Sequence, residues 1–121
     1  MPSRSRVFIT TLVILFTMLI AACQPNHPEN RAAQAKPVVG AQRVVAKNMV
    51  FAPLAVEVPA GTTVTWSFED GSVPHNVKGD GFESKTLSKG TFRHRFDRPG
   101  TFDYRCTLHA GMTGRVVVVP E

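Results

Sequence analysis

From Val38 onward, apolar and polar residues alternate with a period of two. Leu54, Val56 and Val58 fall on one side of their stretch, as do Val64, Trp66 and Phe68, with Thr63, Thr65 and Ser67 interleaved. Strands that bury one face and wet the other have this pattern. The stretches "VPAGTT" at 58–63 and "RPGT" at 98–101 place proline and glycine where the chain must turn. Further strands are predicted over about 43–50, 91–96, 101–106 and 115–119, and no helical period competes with them. Roughly seven or eight short strands within 38–121 specify an all-β fold, an antiparallel Greek-key β-sandwich. His94 alternates with Phe92 and Phe96, which makes it a strand residue on the apolar face, and Met49 reads as a packing residue.

The first 37 residues break this pattern. Residues 1–22 carry Arg4 and Arg6 and then "VFITTLVILFTMLIAA", a 16-residue apolar stretch, shorter than the ~20 residues a bilayer-spanning helix needs. A basic start, an apolar middle and a small-residue end form the layout of a signal peptide. The stretch "IAAC" that follows resembles the lipobox of bacterial lipoproteins, which implies cleavage before Cys23, lipidation of its thiol and a membrane anchor on an exported protein. Residues 24–37, "QPNHPENRAAQAKP", hold three prolines and almost no large apolar side chain. They are predicted to form a flexible tether with a span of about 20 Å, in which His27 is a solvated residue. The organisation is then a signal peptide at 1–22, a lipidated cysteine and tether at 23–37, and one domain at 38–121.

Charge narrows the partners little. The chain has 14 basic and 9 acidic residues, and loses two arginines with the signal. The mild excess favours an acidic protein surface over a basic one. It does not suit nucleic acid, because the basic residues alternate with apolar ones as the solvent faces of strands do.

Of the two cysteines, Cys23 is assigned to the lipid, which leaves Cys106 alone in an exported protein. A free thiol in an oxidising compartment calls for an occupant, and a metal is one. In "TFDYRC" the residues Phe102, Tyr104 and Cys106 share one face, so the thiol points inward at the end of a strand. The loop that follows carries His109 and Met112, each three residues on, with glycines at 111 and 114 that let the chain wrap back. His75 in "VPHNV" offers a fourth donor from another strand end, after a proline that restricts the backbone. Two imidazoles, a thiolate and a weak thioether suit a blue-copper electron-transfer site. Zinc is less apt, since a thioether is a poor ligand for it, and covalent haem attachment needs a second cysteine that "CTLHA" lacks.

With these residues in view, the stretch from about 41 to 120 resembles the cupredoxins, and among them the amicyanin and plastocyanin group. The resemblance rests on "VTW" at 64–66, "PHNV" at 74–77 and "GTFDYRCTLHAGM" at 100–112. It implies one copper per chain, bound strongly by His75, Cys106 and His109, with Met112 as the distant axial ligand. Asn76 would hydrogen-bond across to the Cys106 loop, and Pro74 would bring its carbonyl near the metal opposite Met112. The implied function is one-electron transfer, with redox protein donor and acceptor docking at an apolar patch around the His109 edge. Leu108, Ala110 and Pro53 are the members of that patch. A monomer without nucleic-acid partners is expected. The segment 78–90 matches no docking patch of the group, and the lipobox and tether lie outside the resemblance. Two other classes stay open from sequence: copper storage or delivery by the same four residues, and an enzyme using Cys106 as a nucleophile with a histidine as base. The second leaves Met112 without a role.

Overall fold

The structure is a computed structural model and describes residues 31–121; the signal segment, Cys23 and His27 lie outside the described residues. Two β-sheets face each other. The smaller contains β2 (Arg43–Lys47), β3 (Val50–Ala52), β5 (Thr62–Glu69) and β8 (Lys89–Phe96), in the order β3-β2-β5-β8. The larger contains β1 (Val38–Val39), β4 (Ala55–Pro59), β6 (Lys78–Gly79), β7 (Phe82–Glu83), β9 (Gly100–Arg105) and β10 (Thr113–Val119), in the order β1-β4-β10-β9-β6-β7. The predicted sandwich is therefore present. Its sheets are mixed, because β2 runs parallel to β5 and β4 parallel to both β1 and β10. Alternation of burial fixes which face is wet but says nothing about the direction of a neighbour, so the parallel pairs left no trace in the pattern.

The stretch predicted as one strand over 43–50 is broken by a hairpin. Asn48 and Met49 both adopt the left-handed conformation, with φ of 54° and 61°. Two such residues in succession make the tight turn whose twist suits a hairpin. Asparagine tolerates that conformation; methionine does so at a cost on the order of 1 kcal/mol. The turn leaves the Met49 side chain half exposed.

The core lies between the sheets. Trp66 is fully buried at its centre, with Phe92, Phe96, Phe82 and Tyr104 packed around it and the Tyr104 ring edge-on at 5.2 Å. His94 stacks on Phe82 at 4.8 Å, on the apolar side where alternation put it. Tyr104 also lies against Gly114 on the neighbouring strand β10, and a methyl group there would overlap its ring. Burial pushes the phenol pKa well up, so Tyr104 stays neutral.

The end of the segment predicted as tether is structured. Arg31–Gln34 form one helical turn, α1, with Ala32 buried. Arg115 holds Asp103 through two bonds of 2.6 and 2.9 Å and donates to the carbonyl of Ala33 at 3.1 Å. That pairing with Asp103 raises the pKa of Arg115 further. The turn therefore sits on the outer face of the six-stranded sheet. Among the described residues, no helix is long and apolar enough to cross a membrane.

Gly114→Ala is expected to lower the stability of the metal-free protein by about 2–3 kcal/mol, the cost of overpacking against Tyr104, as measured by urea denaturation. A change below 0.5 kcal/mol would show that the ring is not held there.

Candidate metal centre

The loop between β9 and β10 is closed at its ends. The Cys106 amide donates to the Met112 carbonyl at 2.9 Å and the Met112 amide to the His109 carbonyl at 3.2 Å. Gly111, with φ of 78°, supplies the left-handed residue that this reversal requires. His109 is consequently folded back over Cys106, its Nδ1 3.5 Å from Sγ.

The second stretch approaches from the chain that links β5 to β6. His75 exchanges backbone hydrogen bonds of 3.0 and 2.8 Å with Leu87, which fixes it as an isolated bridge. Its side chain is fully buried, and its Nδ1 lies 3.1 Å from Nδ1 of His109. The donor atoms of His75, Cys106 and His109 thus lie within 4.8 Å of one another and are positioned to hold one metal ion. Two imidazole nitrogens and a buried thiol at a common point make a soft donor set. Met112 is buried and borders, with Cys106, Leu108 and His109, a cavity of about 360 Å³. Pro74 is exposed immediately before His75.

What ties the two stretches together is Asn76. Its amide nitrogen donates to Thr107 Oγ1 at 2.8 Å, and its carbonyl oxygen accepts from the Thr107 amide at 2.7 Å. The sequence pointed to Asn76 but not to its partner, because a threonine beside a cysteine carries no signal of its own.

Sequence reading also missed Asp70. Its Oδ2 lies 2.8 Å from Nε2 of His75, the ring nitrogen turned away from the cluster, and accepts from the Asn48 amide at 2.9 Å. The hydrogen bond with His75, with help from the hairpin amides, holds the carboxyl below its ordinary pKa. A carboxylate on the outer nitrogen leaves Nδ1 as the lone-pair donor and fixes the orientation of the ring. The assignment of tautomer follows from this partner. Nothing in "FEDGSVPH" distinguishes Asp70 from an ordinary turn residue, since its role depends on the hairpin at 48–49 from another part of the chain.

Asp70→Ala is expected to weaken Cu(II) binding by about tenfold or more, read by competition with a chelator, with far-UV circular dichroism unchanged. Unaltered affinity would mean that the carboxylate does not orient His75.

Comparison with known proteins reaches the same place. Residues 38–119 match the family model "Copper binding proteins, plastocyanin/azurin family". Amicyanin-alpha of Methylorubrum extorquens is 38% identical over 95 residues, covering 72% of this chain and 78% of that protein. A purple cupredoxin from Nitrosopumilus maritimus superposes with a TM-score of 0.59 at 32% identity, covering 64% of this chain and 98% of that one. A substituted amicyanin in its Cu(I) form gives a TM-score of 0.60 at 31% identity, over 73% of this chain and 89% of that one. With the donor cluster placed at the end of such a sandwich, the chain belongs to the plastocyanin/azurin family of copper-binding proteins.

Proposed function

We propose that this protein is a type 1 (blue) copper protein that carries single electrons between redox partners at the outer face of a bacterial membrane. The observation that carries this reading is the convergence of two imidazole nitrogens and one buried thiol within 4.8 Å, on stretches that are cross-tied by Asn76 and Thr107. Copper bound there would supply a one-electron cupric/cuprous couple. The residues supply rigidity. Leu87 and Asp70 fix His75, and the Asn76–Thr107 pair fixes the loop relative to it. Cys106 is buried, which keeps water and oxidants from its thiol. Donors held this firmly need little rearrangement when the charge of the site changes.

Met112 is proposed as a fourth, weaker donor that would help hold the metal, supported by its burial beside Cys106 and His109, and Pro74 as a residue whose carbonyl would lie near it. His109 is only partly buried and neighbours exposed Leu108 and Ala110, which suits brief contact with a donor or acceptor protein at that edge. Pro53, half-buried, is proposed as a further member of that patch. The chain acts as a monomeric carrier and not as an enzyme in this reading. Storage or delivery of copper by the same residues is the rival within the family. A fully buried first histidine and a doubly tied loop suit retention of the metal better than its release.

The membrane part of the proposal rests on "IAAC" and on the lipidation of Cys23 that its likeness to a lipobox implies. Two lipid chains hold a protein stably where one does not.

Addition of Cu(II) is expected to give an intense blue absorption that Cys106→Ser abolishes, with a reversible one-electron wave in voltammetry of the parent protein. A colourless complex in the parent would sink the blue-copper reading. Cys23→Ser is expected to move the protein from the membrane fraction to the soluble fraction of cells. Retention in the membrane by that variant would remove the lipid anchor.

A further inference from the structure

The net charge of the molecule is not spread over its surface. On the outer face of the four-stranded sheet, the side chains of Arg43 and Lys47 on β2 and of Lys89, Arg93 and Arg95 on β8 point to solvent, against Glu69 alone on β5. With Asp97, which follows β8 and pairs with Arg95, that is five basic residues to two acidic, a net of +3. The rest of residues 31–121 carries seven basic and six acidic side chains, a net of +1. Most of the excess charge of the described residues therefore lies on this one face.

The arrangement is ordered by strand register. Arg43 stands opposite Thr65, which stands opposite Arg93, so two guanidinium groups flank a hydroxyl on a row about 10 Å wide. Arg43 pairs with Glu69 and Arg95 with Asp97, whereas Lys47, Lys89 and Arg93 have no ion-pair partner among the described residues. One margin of the face reaches the metal centre. Lys89 is paired in register with Glu69, the residue before Asp70, and Asp70 holds His75. Beside it the hairpin exposes Met49 and Val50.

We propose that this face docks an acidic protein surface, that of the redox partner, and turns the partner so that its own centre meets the copper end of the sandwich. The inference rests on the electron-carrier reading and deepens it by stating the partner's chemistry. An acidic protein is favoured over anionic lipid by two observations. The face is a grid of basic residues and threonines with no large aromatic or leucine to insert among acyl chains. The N-terminal turn α1 is docked on the opposite face, against Arg115, so a chain attached through its N-terminus is held by the other side. Opposed charge speeds encounter and fixes orientation more than it adds affinity, which fits a partner that must leave after one electron.

The test uses the full chain loaded with Cu(I), with deca-glutamate as the probe and amide NMR shifts as the readout. Shifts are expected on β2, β5 and β8, with apparent affinity falling about tenfold between low salt and physiological ionic strength. A K89E/R93E variant, altered only at exposed positions, is expected to lose the response. Shifts confined to another face, or none, would overturn the proposal. So would capture by phosphatidylglycerol vesicles that drops in K89E/R93E as steeply as peptide binding does, since the face would then be lipid-binding. Voltammetry of the same sample separates the two readings. A one-electron wave without peptide binding sinks the docking face alone, and absence of the wave sinks the carrier itself.

Discussion

Two hydrogen bonds between Asn76 and Thr107 connect the stretch that carries His75 to the loop that carries Cys106 and His109. The placement of the two halves of the metal centre relative to each other depends on that connection. The two stretches stand 31 residues apart in the chain, and neither contains a full donor set. A metal drawn only by separate loops would have to order them on binding and would lose affinity to that entropy. Here the ordering is done by the fold. Asn76 and its neighbour His75 are buried while Thr107 is exposed, so the pair spans the boundary between core and surface.

The core extends this rigidity inward. Tyr104, two residues before Cys106, is locked between Gly114, Trp66 and Phe51. The strand end that presents the thiol is thus gripped by the largest aromatic cluster of the domain. On the other side, the hairpin at Asn48 and Met49 spends a strained backbone to aim an amide at Asp70, and Asp70 aims His75. Strained backbone tends to persist where the surroundings over-determine it, and such places tend to be functional.

The surface divides its tasks by face. The six-stranded sheet receives the N-terminal turn and balances its charges, with the Arg115–Asp103 pair at the contact. The four-stranded sheet carries most of the net charge of the described residues. Between them, at one end, the half-buried His109 and exposed Leu108 mark where the centre comes closest to solvent. The three faces of this domain are distinct in charge and polarity.

Much of this was written in the residue order. Alternation with a period of two determined the sandwich and the wet and dry sides of Val64–Phe68 and Phe102–Cys106, because a strand's side chains must alternate. The intervals Cys106, His109 and Met112 determined a loop that could gather donors, since they are local. What the sequence left undetermined was long-range. The hairpin inside 43–50, the parallel pairing of β2 with β5, the Thr107 partner of Asn76, the Asp70 contact to His75 and the docking of α1 each join segments distant in the chain. The charge asymmetry is of the same kind, for the basic residues of β2 and β8 lie over forty positions apart and meet only across β5. Local periodicity is imposed by backbone geometry and can be read from neighbours, whereas contacts between distant segments are chosen by packing and hydrogen bonding in three dimensions, and only the tertiary structure decides them.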